Sequence, residues 1–375
     1  MPEIRIEVDY AELRQRAARL AKALALQPVD RPPLWPIFLC RYWLHLFGIS
    51  YQDYFSNPEL MLSTQLRWKK WLFENIYTDE TSLHVIVDLQ HHGAAWALGC
   101  ELAFDADHPW IKSHPLKGPE DLEGLRRRDI LDNEAIRYES QMRGRMQALA
   151  EDYPLRFADG EVIYPAREMK PYLGSTAVFT LAADLRGPQI YLDIKENPGF
   201  VKDLMEIVLE KSVQLALALR QQGGLSRGTT YLCDDSAGVL SPRDYREFVL
   251  PYNFRFLQAL GRPCWLHCDA KADHLLEIFA EEIRPDCFFA FGHQTNRRLV
   301  AQHFGGKAAI SGNINPVIIH RGTPEQVFRE TLECLEIFAP HAGYIVQDGA
   351  NIAPGSPMEN INAMYRAALH FMALR

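Results

Sequence analysis

The chain has 375 residues, 47% of them apolar and 23% charged, with 40 basic against 48 acidic side chains and a formal net charge of −8. Such fractions exclude disordered, collagen-like and repeat-peptide classes. The acidic balance speaks against sequence-independent binding to DNA, which draws on clustered Lys and Arg, and no stretch approaches the ~20 consecutive apolar residues of a membrane span.

Taken in chain order, Leu13, Ala17, Leu20 and Leu24 recur at helical spacing and predict an amphipathic helix within an N-terminal extension, 1–30. The first residues are acidic from Glu3 and lack an apolar core, so no signal peptide is expected and a cytoplasmic location is. Segments 31–38 (RPPLWPIF) and 83–89 (LHVIVDL) read as strands, with a helix from Pro58 to about Ile76 between them. Residues 105–165, rich in Pro, Gly and charge, read as an elaborated insertion with one helix near 134–150. Segment 175–183 (STAVFTLAA) reads as a third strand, and 198–222 as a long helix.

The second half has a more regular grammar. Strand-like segments 228–235, 263–269, 286–292, 307–314 and 343–349 each precede a helical pattern, which implies a parallel sheet with helices packed against it. Ser241-Pro242, Thr323-Pro324 and Ser356-Pro357 read as helix starts, a capping residue followed by Pro. Three early strands and five later ones make eight, so the expected fold is α/β, a (β/α)8 TIM barrel forming one domain over 1–375. An open doubly wound sheet competes, but no Gly-x-Gly-x-x-Gly follows the first strand, and a dinucleotide site has no support. Seven scattered cysteines without a Cys-x-x-Cys pair imply reduced thiols.

In a barrel the chemistry collects at the carboxyl ends of the strands. The five later strands end in Asp234-Asp235, His267-Cys268-Asp269, Gly292-His293, Asn313 with Asn315, and Gln347-Asp348. Side chains alternate faces along a strand, so His267 and Asp269 point one way and Cys268 the other. A His and a carboxylate at that spacing can share a divalent metal or form an acid–base pair. Of Asp234 and Asp235, one is expected to face metal or substrate while the other caps the following loop. Asp88 closes the second strand and is a further catalytic candidate. At most one of His91 and His92 is expected to face inward. Glu168 and Tyr172 precede the third strand and are weaker candidates. Trp43, Trp68, Trp71 and Trp96 read first as core packing.

Longer motifs carry a resemblance. ISGNINPVIIHRGTPEQVFRETLECL and GYIVQDGANIAPGSPMENINAMYRAA, with LAADLRGP, DDSAGVLSPRDYREFVLPY, RPPLWP and WALGCELAF, make the chain similar to the uroporphyrinogen decarboxylase superfamily, which implies a (β/α)8 barrel. Decarboxylases of heme synthesis carry Met-Arg-Gln-Ala-Gly-Arg after the first strand, two arginines for the substrate's carboxylates. Here Ile37-Phe38-Leu39-Cys40-Arg41-Tyr42-Trp43 supplies one. The other branch comprises corrinoid-dependent methyltransferases, whose thiol-methylating members bind zinc through His-x-Cys and a distant Cys. His267 matches that His, Asp269 stands for the first Cys, and Gly349-Ala350-Asn351 occupies the place of Gly-Cys.

The resemblance therefore implies zinc held by His267, Asp269 and Asp235 or His293, in a demethylating rather than thiol-methylating enzyme. The expected reaction moves a methyl group from a small O- or N-methyl compound, such as an aryl methyl ether, to Co(I) of a corrinoid (cobalamin) on a partner protein. His267, Asp269 and Asp235 would assist the leaving group. Tyr42, Trp43 and Trp96 would hold a ring, with Asn313 and Asp348 lining the substrate pocket. Two alternatives stand beside it: a decarboxylase of uroporphyrinogen or a smaller acid using Asp88 and Arg41, and a non-catalytic barrel that binds a corrinoid or tetrapyrrole. Homodimerisation is implied by the resemblance alone.

Overall fold

The computed structural model describes residues 3–104, 109–174, 176–225 and 228–374. Among them ten strands follow in order: β1 (Ile4–Ile6), β2 (Glu101–Ala103), β3 (Trp110–Ser113), β4 (Leu155–Phe157), β5 (Val162–Ile163), β6 (Thr230–Cys233), β7 (Cys264–His267), β8 (Cys287–Phe289), β9 (Ala309–Ser311) and β10 (Tyr344–Ile345). Two compact units divide the chain, one comprising 1–85, 145–169 and 286–375, the other 86–144 and 170–285.

In the first unit β8, β9 and β10 run parallel, Cys287 opposite Ala309 and Tyr344 opposite Ile310. Their helices are Arg297–Phe304, Pro316–Arg321, Pro324–Phe338 and Met358–Ala373. Thr323 caps the third by accepting from the Gln326 N–H, and Gln326 reciprocates in a capping box. Phe288 stacks on Phe291 and Phe304 in the core. The amphipathic helix expected near the N-terminus is Tyr10–Leu24, and the helix expected from Pro58 is Pro58–Asn75. An additional short sheet joins β1 to β4 in parallel and β4 to β5 antiparallel. Asp79 is fully buried and accepts from Arg31, Arg19 and the Leu34 N–H, tying the 31–34 segment to the N-terminal helix.

In the second unit β6 and β7 are parallel and in register from Thr230 opposite Cys264 to Cys233 opposite His267. Thr230, Leu232, Cys264 and Leu266 are buried, whereas Tyr231, Cys233, Trp265 and His267 are half-buried, the two-residue period of a sheet with one more open face. Helices Pro198–Gln222, Pro242–Phe248 and Leu250–Leu260 follow the expected pattern. Val249 breaks the last two apart, with φ −121° outside the helical range and Pro251 just after it. Asn197 and Ser241 cap as expected of a polar residue before Pro.

Several expectations need correction. The segment read as a third strand, of which Ser175 lies outside the described residues, is instead the helix Val178–Arg186. Val178, Phe179, Leu181, Ala182 and Leu185 are buried on one helical stripe, and the β-branched Val178 and Thr180 imitate a strand only locally. Segment 83–89 buries Val85, Val87, Asp88 and Leu89, so its burial loses the strand period, and a turn from the Leu89 N–H to the Val87 carbonyl stands where a ladder was expected. Segment 31–38 makes a single bridge, Leu34 to Val346. Ser356 does not cap the last helix, because its hydroxyl is turned to the Ala353 carbonyl and His320. Among the described residues the parallel α/β architecture is thus observed with β6 to β10 as the five later strands, while none of 31–38, 83–89 and 175–183 forms a regular strand. No helix among the described residues is long and apolar enough to cross a membrane.

Candidate metal centre

The ends of β6 and β7 bring the acidic pair and the His-x-Asp segment together. Asp234 extends the ladder, its N–H donating to the His267 carbonyl at 2.9 Å. Alternation then sends its side chain to the buried face. There Asp234 Oδ2 accepts from the Tyr245 hydroxyl at 2.5 Å and Asn253 Nδ2 at 2.7 Å, while Oδ1 has no hydrogen-bond partner. Burial pushes its pKa up to about 6 against the pull of those two donors.

Asp235, one residue on, faces the open side. Its Oδ1 accepts the Asp269 N–H at 2.9 Å and lies 3.3 Å from His267 Nε2. Ligand atoms of Asp235, His267 and Asp269 all fall within 4.8 Å of one another. Burial raises the Asp235 pKa, partly offset by His267 and reinforced by Asp269. Gly238 permits this geometry: a Cβ there would come within 2.5 Å of Ala270 Cβ and 2.9 Å of Cys268 Sγ, so only Gly lets the two strand-end loops close. Tyr191 steadies the first loop, donating its hydroxyl to the Ser236 carbonyl at 2.8 Å. Cys268 is buried on the far face as alternation requires, and burial holds its thiol well above the usual range.

The donor set fits a divalent ion. Two carboxylates and an imidazole suit zinc, whose catalytic sites use three protein ligands and leave a fourth position open. The 3.3 Å between Asp235 Oδ1 and His267 Nε2, and the 4.8 Å within which all three ligand atoms fall, are separations that one shared ion can span.

The remaining sequence candidates sort by unit. In the second, Asp88 is buried and accepts the Gln90 N–H at 3.2 Å, and its charge joins burial in raising the Tyr138 phenol. Trp96 packs on Tyr138 with centroids 5.5 Å apart. His92 is buried and His91 exposed, so one of that pair faces inward. In the first unit Asp348 is fully buried, its Oδ1 accepting the Ile37 N–H at 2.8 Å and its pKa pushed up to about 7 by desolvation. Asn313 is committed to the protein, accepting from Arg297 Nε and donating to the carbonyls of Gly292 and Thr295. Tyr42 is buried against Phe38, Trp68 and Trp71, and Trp43 stacks on Trp68 at 5.2 Å, which makes both members of a packed aromatic cluster. Arg41 is engaged by the Asn351 side chain. His293 belongs to the first unit and is not a member of the three-residue ligand group.

Sequence reasoning missed Tyr231 and Trp265, which share the open face with Asp235 and His267. Counting back along the alternating face, two residues from His267 and four from Asp235, would have found them. The Tyr245–Asn253 support of Asp234 joins a strand end to helices 11 and 19 residues away and leaves no short-range pattern.

A sequence profile of the uroporphyrinogen decarboxylase (URO-D) family matches residues 15–371. The chain belongs to this family. Among uroporphyrinogen decarboxylase family proteins, it is 25% identical to the uroporphyrinogen decarboxylase of Xanthomonas axonopodis pv. citri, over 93% of this chain and 97% of the relative. It is 28% identical to that of Syntrophotalea carbinolica over 49% of this chain and 54% of the other. A solved methyltransferase structure from Methanosarcina mazei superposes with a TM-score of 0.69 at 21% identity, covering 95% of this chain and 98% of that one. That likeness is one of fold.

Proposed function

We propose that this protein is a methyltransferase that takes a methyl group from a small O- or N-methyl compound and delivers it to Co(I) of a corrinoid on a partner protein. What carries the reading is the Asp235, His267 and Asp269 group at the ends of two adjacent parallel strands. Displacement at a methyl carbon is limited by the leaving oxygen or nitrogen, which must be relieved of negative charge. A divalent ion held by the three side chains would supply Lewis acidity at that atom. The chain's own residues would hold that ion and set the leaving atom beside it: Asp235 Oδ1 lies 3.3 Å from His267 Nε2, and as ligands the carboxylates are ionised, so the proton taken up by the leaving atom comes from solvent. The carbon–heteroatom bond breaks with its electron pair on the leaving atom, and cobalt contributes the pair of the new bond, passing from Co(I) to Co(III).

A thiol acceptor is not favoured, because Asp269 stands where the first thiolate ligand would be and Gly349-Ala350-Asn351, at the place of the second, contains no cysteine. The test incubates purified protein with Co(I) corrinoid and a panel of methoxy and methylamino compounds and follows the cobalt spectrum. Loss of the Co(I) band with a donor, abolished by His267→Ala, is expected. No methylation with any donor, together with carbon dioxide release from uroporphyrinogen, refutes it.

A decarboxylase is the second reading, favoured by the names of the curated relatives at 25% identity. Asp88 would act there on the substrate. The cationic side weighs against an octacarboxylate, since Arg41 stands in place of two arginines and buried carboxylates require charged partners.

A further inference from the structure

The long helix Pro198–Gln222 and the first residues of β6 line a cavity of about 150 Å³ within the second unit. Ser212, Leu215, Ala216, Leu219 and Arg220 form one wall, the i, i+3, i+4, i+7, i+8 spacing of a single helical face. Leu181, Phe256 and Leu260 from neighbouring helices make much of the remainder apolar. Thr230, which opens β6, borders the cavity, and three rises of ~3.3 Å carry the strand about 10 Å on to Cys233. Asp235, His267 and Asp269 belong to that far end, and none of them lines the cavity.

Two polar groups here lack what they would ordinarily have. Arg220 donates to the Leu260 and Gly228 carbonyls at 2.6 and 3.1 Å and to the Thr230 hydroxyl at 3.2 Å, all neutral acceptors. No carboxylate pairs with it among the described residues, and burial alone pulls its pKa down, whereas Arg19 and Arg255, each beside a carboxylate, are held up. The Ser212 hydroxyl oxygen is buried without a hydrogen-bond partner, although a helical serine can return a bond to the carbonyl one turn before it. An unmatched charge and an unmatched hydroxyl both carry a desolvation cost, and a ligand that answers both removes it.

We propose that this cavity binds a short-chain hydroxycarboxylate, its carboxylate on Arg220, its methylene chain against Leu215, Leu219 and Phe256, and its hydroxyl on Ser212. The site is separate from the metal centre and independent of the reaction proposed there. A carboxylate supplies the counter-charge that the guanidinium lacks, through hydrogen bonds stronger than those to neutral carbonyls. Size sets the chain length. A cavity of this volume takes a molecule like benzene, about six non-hydrogen atoms, and a four-carbon acid has that many. The apolar walls select an acid with a hydrocarbon body over a compact anion such as phosphate, which would leave them wet.

Calorimetric titration of the zinc-free full chain with 4-hydroxybutyrate, butyrate and 1,4-butanediol tests this. The wild-type protein is expected to bind 4-hydroxybutyrate best, butyrate about threefold more weakly, and the uncharged diol at least about tenfold more weakly. Arg220→Gln should weaken both acids about tenfold, and Ser212→Ala should make the two acids equal. Ala216→Leu fills the cavity while keeping both polar groups and should abolish binding; it takes the place of Arg220→Gln if that variant fails to fold. No saturable binding of either acid up to about 10 mM, or binding that survives these substitutions, overturns the proposal. Equal affinity of the wild-type protein for the two acids removes the role given to Ser212. Acid binding that is lost in His267→Ala and kept in Arg220→Gln belongs to the metal centre and overturns the proposal as well.

Discussion

Replacing Asp348 by Asn removes a carboxyl that the fold keeps dry. Its side chain is fully buried, one oxygen accepts the Ile37 N–H at 2.8 Å, and the other has no hydrogen-bond partner. Desolvation raises its pKa from 3.8 to about 7. A carboxyl held above its unfolded value keeps its proton more tightly in the fold, so its favourable contribution is complete below about pH 4 and is lost as pH rises through about 7. That interval of roughly three powers of ten in proton affinity corresponds to about 4 kcal/mol, an upper figure if water reaches the site. In acid the carboxylic acid and the amide are both neutral, and both leave a donor without an acceptor. Asp348→Asn is therefore expected within about 1 kcal/mol of wild type near pH 4. Near pH 8 it should be the more stable protein by about 2–4 kcal/mol. Urea denaturation of both proteins at the two pH values measures the change, and other titrating groups cancel in the difference. A gap that varies by less than about 1 kcal/mol between those pH values would refute the reasoning.

Other outcomes follow from the same contacts. In equilibrium dialysis one zinc ion should bind per chain, with His267→Ala and Asp235→Ala losing more than about tenfold in affinity and Cys268→Ala, on the opposite face, losing none. Asp79→Ala takes the buried partner from Arg31 and the Leu34 N–H, while Arg19 keeps Asp30, and should lower stability by about 3–5 kcal/mol in urea titrations. Tyr245→Phe deletes a hydrogen bond that favours the charged form of Asp234. The expected cost, about 1–3 kcal/mol, should be larger near pH 8 than near pH 5, because Asp234 ionises at about 6. An equal cost at both pH values would mean that Asp234 stays neutral throughout.

How far the site could be read from the chain depended on how local its parts are. His267 and Asp269 share a face because strands alternate, and two residues suffice to see it. Choosing between Asp234 and Asp235 required knowing which face of β6 meets helices, and Tyr245 and Asn253 decide that from across a loop. Tyr42 and Trp43 look like ring holders because aromatic residues serve both cores and ligands. Only the packing of Trp68 and Trp71 against them reveals a core. The segment at 175–183 was misread for a related reason: a short apolar run satisfies both periods, and its buried stripe becomes visible only over the full nine-residue helix.

The 40 basic against 48 acidic residues, the strand–helix alternation of the second half, the capped helix starts at Ser241 and Thr323 and the family motifs belong to the sequence alone, because each is a property of neighbours along the chain. Tertiary structure decided what depends on which faces meet. It set Asp235 against His267, sent Asp234 inward, stacked Tyr42 into a core and left Asp348 without water. Burial and cross-strand register are relations between distant segments, and no window of the sequence contains them.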